Sequence, residues 1–308
     1  MHSADYVAGG AMTTRRAVLG SLGGFCLAPA AIAQPTSRSA RVAAIDWAAA
    51  ESLLALGIEP MAVANTGLYR QWSIEPVLPP AVADLGMPEE PNLERLLALR
   101  PDLILISSWQ VAQRQTLARI APVQIFSVFE SNRTPLSNAL ASMRALAREF
   151  GIEEIAAAFE SRLVHDFEQR RRRLQTTQRP TVLLAVLLTD GMRITIYGKG
   201  SLLGDVLDRL GLENAWTGAM PIFGRITIGI ERLLELPDFW LLYMDQGHRT
   251  QVALQRLRAN SIWRGLPAVA AGRVRPIAAV WPFAGAPTAL RFAGIVTDAM
   301  SGNGAGHG

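Results

Sequence analysis

Between Leu136 and Thr177 apolar positions recur at helical spacing in two successive runs, and the rest of the chain is arranged on either side of that stretch. Leu136, Leu140, Met143, Leu146 and Phe150 lead up to Gly151, and Ile155, Phe159, Leu163, Phe167 and Leu174 resume the period beyond it. The spacing predicts one helix stopped by a glycine and a second, from about Ile152, that is roughly 40 Å long at about 1.5 Å per residue. A helix of that length crosses a whole domain. The blocks before and after it are similar in size, and each alternates short apolar runs with amphipathic segments. The pattern therefore predicts an α/β fold in which two lobes, residues 40–135 and 179–300, are joined by a helical segment over 136–178, with a ligand cleft between the lobes. A strut of this kind resists hinge bending, so the cleft is expected to open and close only slightly.

Within the first lobe the runs Arg41–Ile45, Pro60–Ala64, Leu103–Ser107 and Val123–Val128 read as strands. Ala49–Leu56, a segment capped by Asn92 and ending at Leu99, and Leu117–Ile120 read as helices, while Asn65–Pro80 is proline-rich and reads as irregular. The second lobe repeats the plan. Its strands are Thr181–Leu188, Arg193–Tyr197, Phe239–Met244 and Arg273–Val280, and its helices Ser201–Leu210, Ile230–Leu236, Val252–Arg258 and 288–300. This Rossmann-like alternation implies parallel sheets, and such sheets bind ligands outside the carboxyl ends of their strands. Those ends carry Trp47, then Trp109 and Gln110, then Trp281 and Phe283, while Trp72 and Phe223 lie in loops that reach the same side. Large aromatics also pack cores, but their coincidence at strand exits in both lobes predicts an aromatic-lined interlobe cleft.

The mean hydropathy of +0.20 raises the question of a membrane span. Beyond residue 33 the longest aliphatic run is Val182–Leu188, far short of the ~20 residues that a spanning helix needs. Residues 1–33 read instead as an export signal: Arg15-Arg16, an uncharged run from Ala17 to Ala28, and a small-x-small site at Ala31-Ile32-Ala33 before Gln34. The arginine pair behind Thr14 points to the twin-arginine route. Cleavage near Ala33 would deliver the chain to the periplasm without Cys26, its one cysteine, leaving no disulfide and no thiolate site. The glycine-rich tail 301–308 is expected to be disordered. With 30 basic against 26 acidic residues the charge is too mild for a nucleic-acid partner.

Catalytic and metal motifs find little support. Gly198-Lys199-Gly200-Ser201 meets neither dinucleotide nor Walker spacing and reads as a capped turn before a helix. No histidine has a partner at metal-ligand spacing, and there is no nucleophile elbow. Glu89-Glu90 and Glu153-Glu154 read as acidic helix starts, and Arg170–Arg173 as a solvated helix end.

Arg41–Trp47, Leu54–Ile58, Gly86–Glu94, Leu96–Asp102 and Ser261–Val274, with Tyr69-Arg70-Gln71-Trp72, Leu117–Pro122, Asn214-Ala215-Trp216 and Ala279-Val280-Trp281, resemble the helical-backbone (class III) periplasmic substrate-binding proteins of ABC importers. The likeness covers about residues 40 to 300 and is greatest to the branch that binds ferric hydroxamate siderophores. It implies a rigid monomer whose shallow aromatic cleft holds iron already wrapped in its siderophore, with no other cofactor and no direct metal ligand. The family's pocket aromatics fall on Trp72, Trp281, Phe223 and Phe283; its pocket arginine falls on Pro88 and its pocket tyrosine on Gln110. Arg225 is the candidate to replace the lost donor from the opposite lobe. Of the carboxylates that meet the membrane permease, Glu231 matches on the second lobe and Gln115 stands at the first-lobe position. The expectation is therefore a periplasmic protein that is not an enzyme and that hands a ferric siderophore to an inner-membrane ABC permease. Another chelate, a catecholate, a carboxylate or haem, is the same-class alternative, and a twin-arginine-exported enzyme is the different-class one.

Overall fold

The computed structural model describes residues 40–175 and 181–302. The proposed export segment with Cys26, Thr177, and the tail from residue 303 lie outside them.

The first lobe opens with strand β1 (Val42–Ala44), whose buried residues lead through Asp46 into helix α1 (Trp47–Ala55). The carboxylate of Asp46 caps that helix by accepting from the Ala49 N–H at 3.2 Å. Next come β2 (Ala62–Val63), α2 (Thr66–Trp72), β3 (Ala83–Asp84) and α3 (Leu93–Leu99), capped by Asn92. Strand β4 (Leu103–Ile106) runs into a 3₁₀ helix, Ser108–Gln113, then the short α4 (Arg114–Leu117) and β5 (Val123–Ile125). All pairings are parallel, in the order β3-β2-β1-β4-β5.

Part of the segment that reads as irregular is the helix α2. Asn65 starts it from a left-handed conformation and accepts the Leu68 N–H with its side chain, a local device that the prolines further on mask.

Two helices carry the chain across. These are α5 (Pro135–Glu149) and α6 (Glu153–Leu174), the latter about 33 Å long at ~1.5 Å per residue, shorter than the sequence suggests. The buried stripe of α6 is Ala156, Phe159, Leu163, Phe167 and Leu174; Ile155 is 45% exposed because Ala156 holds the inward phase of the first turn.

The second lobe begins with β6 (Thr181–Leu187) and β7 (Arg193–Tyr197), followed by α7 (Leu202–Leu210), β8 (Glu213–Asn214) and β9 (Arg225–Gly229). A 3₁₀ turn, Ile230–Glu235, precedes β10 (Trp240–Asp245) and helices α8 (His248–Ala259), α9 (Ser261–Gly265) and α10 (Pro267–Ala270). Strand β11 (Val274–Ala278) and helix α11 (Ala286–Met300) close the fold. Ser201 caps α7 through the Gly204 N–H at 2.9 Å, so the Gly-Lys-Gly-Ser stretch is a capped turn.

The second sheet departs from the all-parallel expectation. Its order is β11-β10-β6-β7-β9, with β8 alongside β6, and β7 runs antiparallel to both its neighbours. An Asp190-Gly191 turn, with Gly191 at φ 68° and Asp190 accepting the Met192 and Arg193 N–H groups, folds β6 straight back into β7. The span is too short for a crossover helix.

The largest core cluster runs continuously from Val42 and Trp47 through the stripe of α6 to Val182, Leu202 and Val296. Helix α6 packs on α5, α7 and α11, and α11 reaches back to α1 of the first lobe. Two helices therefore tie the lobes together. The basic end of α6 belongs to this packing: Arg170 pairs with Asp166 and lies against Gly294 of α11, and Arg173 reaches Asp298 at 3.7 Å, so the run is only partly a solvated face.

Candidate ligand-binding cleft

A cavity of about 410 Å³ lies where the strands of the first sheet end and the second lobe faces them. The exits of β1 (Ile45, Asp46, Trp47) and β4 (Ser107, Ser108, Trp109) line it, with Asn65, Leu68 and Met87–Glu89 on the first-lobe side. Phe223, Trp281 and Phe283 come from the second lobe. Parallel strands place their exits on one edge, which is why aromatics far apart in sequence meet here.

The rings form one connected path between the lobes. Phe129, Phe223 and Phe283 make an edge-to-face trio with centroids 5.6, 5.7 and 5.8 Å apart. Phe283 meets Trp281 at 5.6 Å, and Trp281 lies 4.8 Å from Trp47. Trp47 is itself held, donating its indole N–H to the Ala64 carbonyl at 2.7 Å. Phe223 is placed by Gly224, whose φ of 59° lets the turn pass so close to Ser201 that a Cβ there would collide with the Ser201 backbone.

The sequence-selected residues divide. Trp109, Phe223, Trp281 and Phe283 line the cleft, as does Pro88. Trp72 does not: it ends α2 half-buried against the core, and its carbonyl accepts from Arg291 at 2.8 Å. Gln110 does not either, being 1% exposed. Its side-chain oxygen accepts the Ser107 N–H at 2.9 Å, and its amide donates to the Pro88 carbonyl at 2.9 Å. The two positions where the resemblance places polar anchors thus bond to each other and fasten the Pro88 loop to the 3₁₀ helix. Arg225 is exposed at the start of β9, with its guanidinium carbon 5.3 Å from the Phe283 ring centroid; it stacks behind a lining ring and does not itself line the cleft. Glu231 and Gln115 are both exposed, on the second and first lobes respectively.

Among the lining residues that the sequence reading does not select, Phe129, Asp46 and Glu89 carry the chemistry. Phe129 follows the segment Val123–Val128, so the strand-exit rule applied one element further would have found it. Asp46 stands beside Trp47 at the first exit, and Glu89, an acidic helix start by its sequence pattern, lies in the loop before α3. Asp46 is 8% exposed, and burial pushes its carboxyl up to about 6, opposed by the first N–H groups of α1 and the Ser107 hydroxyl. Among the described residues, no lysine, arginine or histidine lines the cleft.

Behind the cleft lies a second acid. Glu51 of α1 is fully buried and accepts the Gly285 N–H and, at 2.6 Å, the Thr288 hydroxyl, capping α11 from the opposite lobe. Burial pushes its carboxyl up to about 7 against those hydrogen bonds. Arg291, one turn on from Thr288, has its pKa lowered by burial. Among the described residues, no group of three or more histidine, cysteine, aspartate or glutamate side chains is placed to hold a metal ion, and no helix is long and apolar enough to cross a membrane.

Comparison with known proteins matches this architecture. Residues 42–279 match the family described as "Periplasmic binding protein". The chain is similar to the iron(3+)-hydroxamate-binding protein FhuD of Escherichia coli, with 33% identity over 264 residues, 85% of this chain and 87% of that protein. It is 27% identical to the Fe(3+) dicitrate-binding periplasmic protein FecB of the same organism over 241 residues, 74% of this chain and 73% of that one. Among solved structures, the Fe3+-Desferal-bound siderophore-binding protein FhuD of Vibrio cholerae superposes with a TM-score of 0.79 at 28% identity, covering 85% of this chain and 98% of that chain. Two α/β lobes tied by a long helix, an aromatic cleft at their strand ends and a match over most of the chain lead to one assignment: the protein belongs to the periplasmic binding protein family, whose members bind substrates for transport and are not enzymes.

Proposed function

We propose that the chain is a periplasmic carrier that holds a ferric hydroxamate siderophore in the interlobe cleft and delivers it to an inner-membrane ABC permease. The observation that carries the choice of chelate is the lining itself: among the described residues it offers aromatic and aliphatic faces, two carboxylates, and no cationic side chain. Three hydroxamates neutralise one ferric ion, so such a chelate can enter an apolar cleft without a buried counter-charge. Three catecholates leave the complex strongly anionic, ferric citrate is anionic, and haem carries two propionates; each would bring unpaired negative charge against Asp46 and Glu89. The hydroxamate and Desferal ligands named for the two FhuD proteins support the same reading.

In this reading iron is cargo, enclosed by the siderophore, and the protein touches only the organic shell through Trp109, Phe129, Phe223, Trp281 and Phe283. Glu231, exposed on the second lobe, is the docking carboxylate that the resemblance implies, while Gln115 offers no charge on the first. Export through residues 1–33 belongs to the same proposal.

Titrating the purified protein with a neutral ferric trihydroxamate, a ferric tris-catecholate, ferric citrate and haem tests it through tryptophan fluorescence, because Trp47, Trp109 and Trp281 line the cleft. Saturable quenching by the hydroxamate, with weak or no response to the anionic ligands, is expected. Tighter binding of the catecholate or of haem would refute the hydroxamate assignment.

A further inference from the structure

Among the described residues, both charged groups that line the cleft are acids, and both stand on the first-lobe side: Asp46 at the exit of β1 and Glu89 in the loop before α3. Arg225, on the opposite lobe, stacks on Phe283 and is not among the lining residues. The cleft is therefore electrically one-sided, with negative charge on one wall and aromatic faces between.

For Asp46 the charge is surplus to the fold. Capping α1 requires only a side-chain oxygen that accepts the Ala49 N–H, and asparagine caps helices about as well as aspartate. Burial penalises the charge further, and once ionised it raises the cost of ionising Glu51 nearby. A carboxylate held 8% exposed in a largely apolar cavity gains most when a cation enters, because attraction there is screened far less than in water. Glu89, exposed at the mouth, offers the second charge along the path of entry.

We propose that Asp46 and Glu89 together read a cation carried by the ligand, so that the cleft selects hydroxamate chelates bearing a pendent ammonium group over otherwise identical neutral ones. The inference rests on the function proposed above and narrows its ligand class. The hydroxamate-wrapped iron lies against the aromatic path, and the ammonium arm points to the first-lobe wall.

The ferric complex of desferrioxamine B, a linear trihydroxamate ending in a primary ammonium, and its N-acetylated derivative share one iron centre and differ by one charge. Titrated by tryptophan quenching at neutral pH and low salt, the ammonium form is expected to bind roughly tenfold more tightly, the size of one charge-assisted hydrogen bond at the low end. The ratio should shrink as salt is added. Asp46→Asn keeps the helix cap, and Glu89→Gln keeps the loop, so each should fold; each should lower the ratio, and the double variant should bring it close to one. Equal affinities of the wild-type protein for the two chelates would overturn the inference while leaving the hydroxamate function intact. A tenfold preference that survives in the double variant would overturn the assignment to these two acids. Failure of both chelates to bind would instead overturn the proposed function, and this inference with it.

Discussion

Glu51 makes the tie between the lobes sensitive to pH in a direction that can be calculated. Its carboxyl has an ordinary value of 4.5 and burial pushes it up to about 7, so the folded chain holds the proton more tightly than the unfolded chain does. Stability from this group is therefore fully present below about 4.5 and is lost as the pH rises through about 7. At roughly 1.4 kcal/mol for each tenfold difference in proton affinity, the loss between pH 5 and pH 8 is about 2 to 3 kcal/mol. Glu51→Gln removes the titration and keeps the shape: its amide oxygen can accept the Gly285 N–H, and its amide N–H can donate to the Thr288 hydroxyl oxygen. Asp46 titrates in the same direction, up to about 6 in the folded chain, so the variant should keep part of the slope. The assay is urea denaturation of wild type and variant at the two pH values. The variant should gain on the wild type by about 2 to 3 kcal/mol on going from pH 5 to pH 8. A stability difference that is the same at both values would show that Glu51 is not held as a buried, proton-hungry carboxyl, and the account of the lobe junction would fall.

Trp281→Ala removes the ring that joins Trp47 to Phe283 and should weaken ferric hydroxamate binding about tenfold, or ~1.4 kcal/mol, with the fold intact; unchanged affinity in a calorimetric titration would count against the cleft. Arg225→Ala should cost less than about fivefold, because an exposed guanidinium stacked on a ring contributes about 0.5 to 1 kcal/mol. A hundredfold loss would place that guanidinium on the ligand. Glu231→Ala should leave chelate affinity unchanged and reduce siderophore-dependent iron uptake by cells, and a loss of affinity would assign the residue to the cleft or the fold.

What the sequence determined by itself is what neighbours along the chain decide. The buried runs of β1 and β4, the period of α6, and the caps at Asn92 and Ser201 are local patterns, each enforced by residues within a few positions. The antiparallel β7 was legible in principle too, since Asp190-Gly191 is a hairpin signal, but the strand alternation outweighed it. The aromatics at strand exits were found for the same reason: a parallel sheet gathers its exits wherever the sequence places them. Only the tertiary structure decided which side chains turn into the cleft. Gln110 follows a strand exit as directly as Trp109 does, yet it is drawn inward by the Pro88 carbonyl of a loop that lies 22 residues earlier. Glu51 shows the limit most plainly. In sequence it is a polar residue on a short apolar helix, where solvent exposure is the natural reading. The helix end it caps begins 234 residues further on. Until that end arrives there is no N–H to bond the carboxylate, and burial without a partner would cost too much for the residue to stay inside.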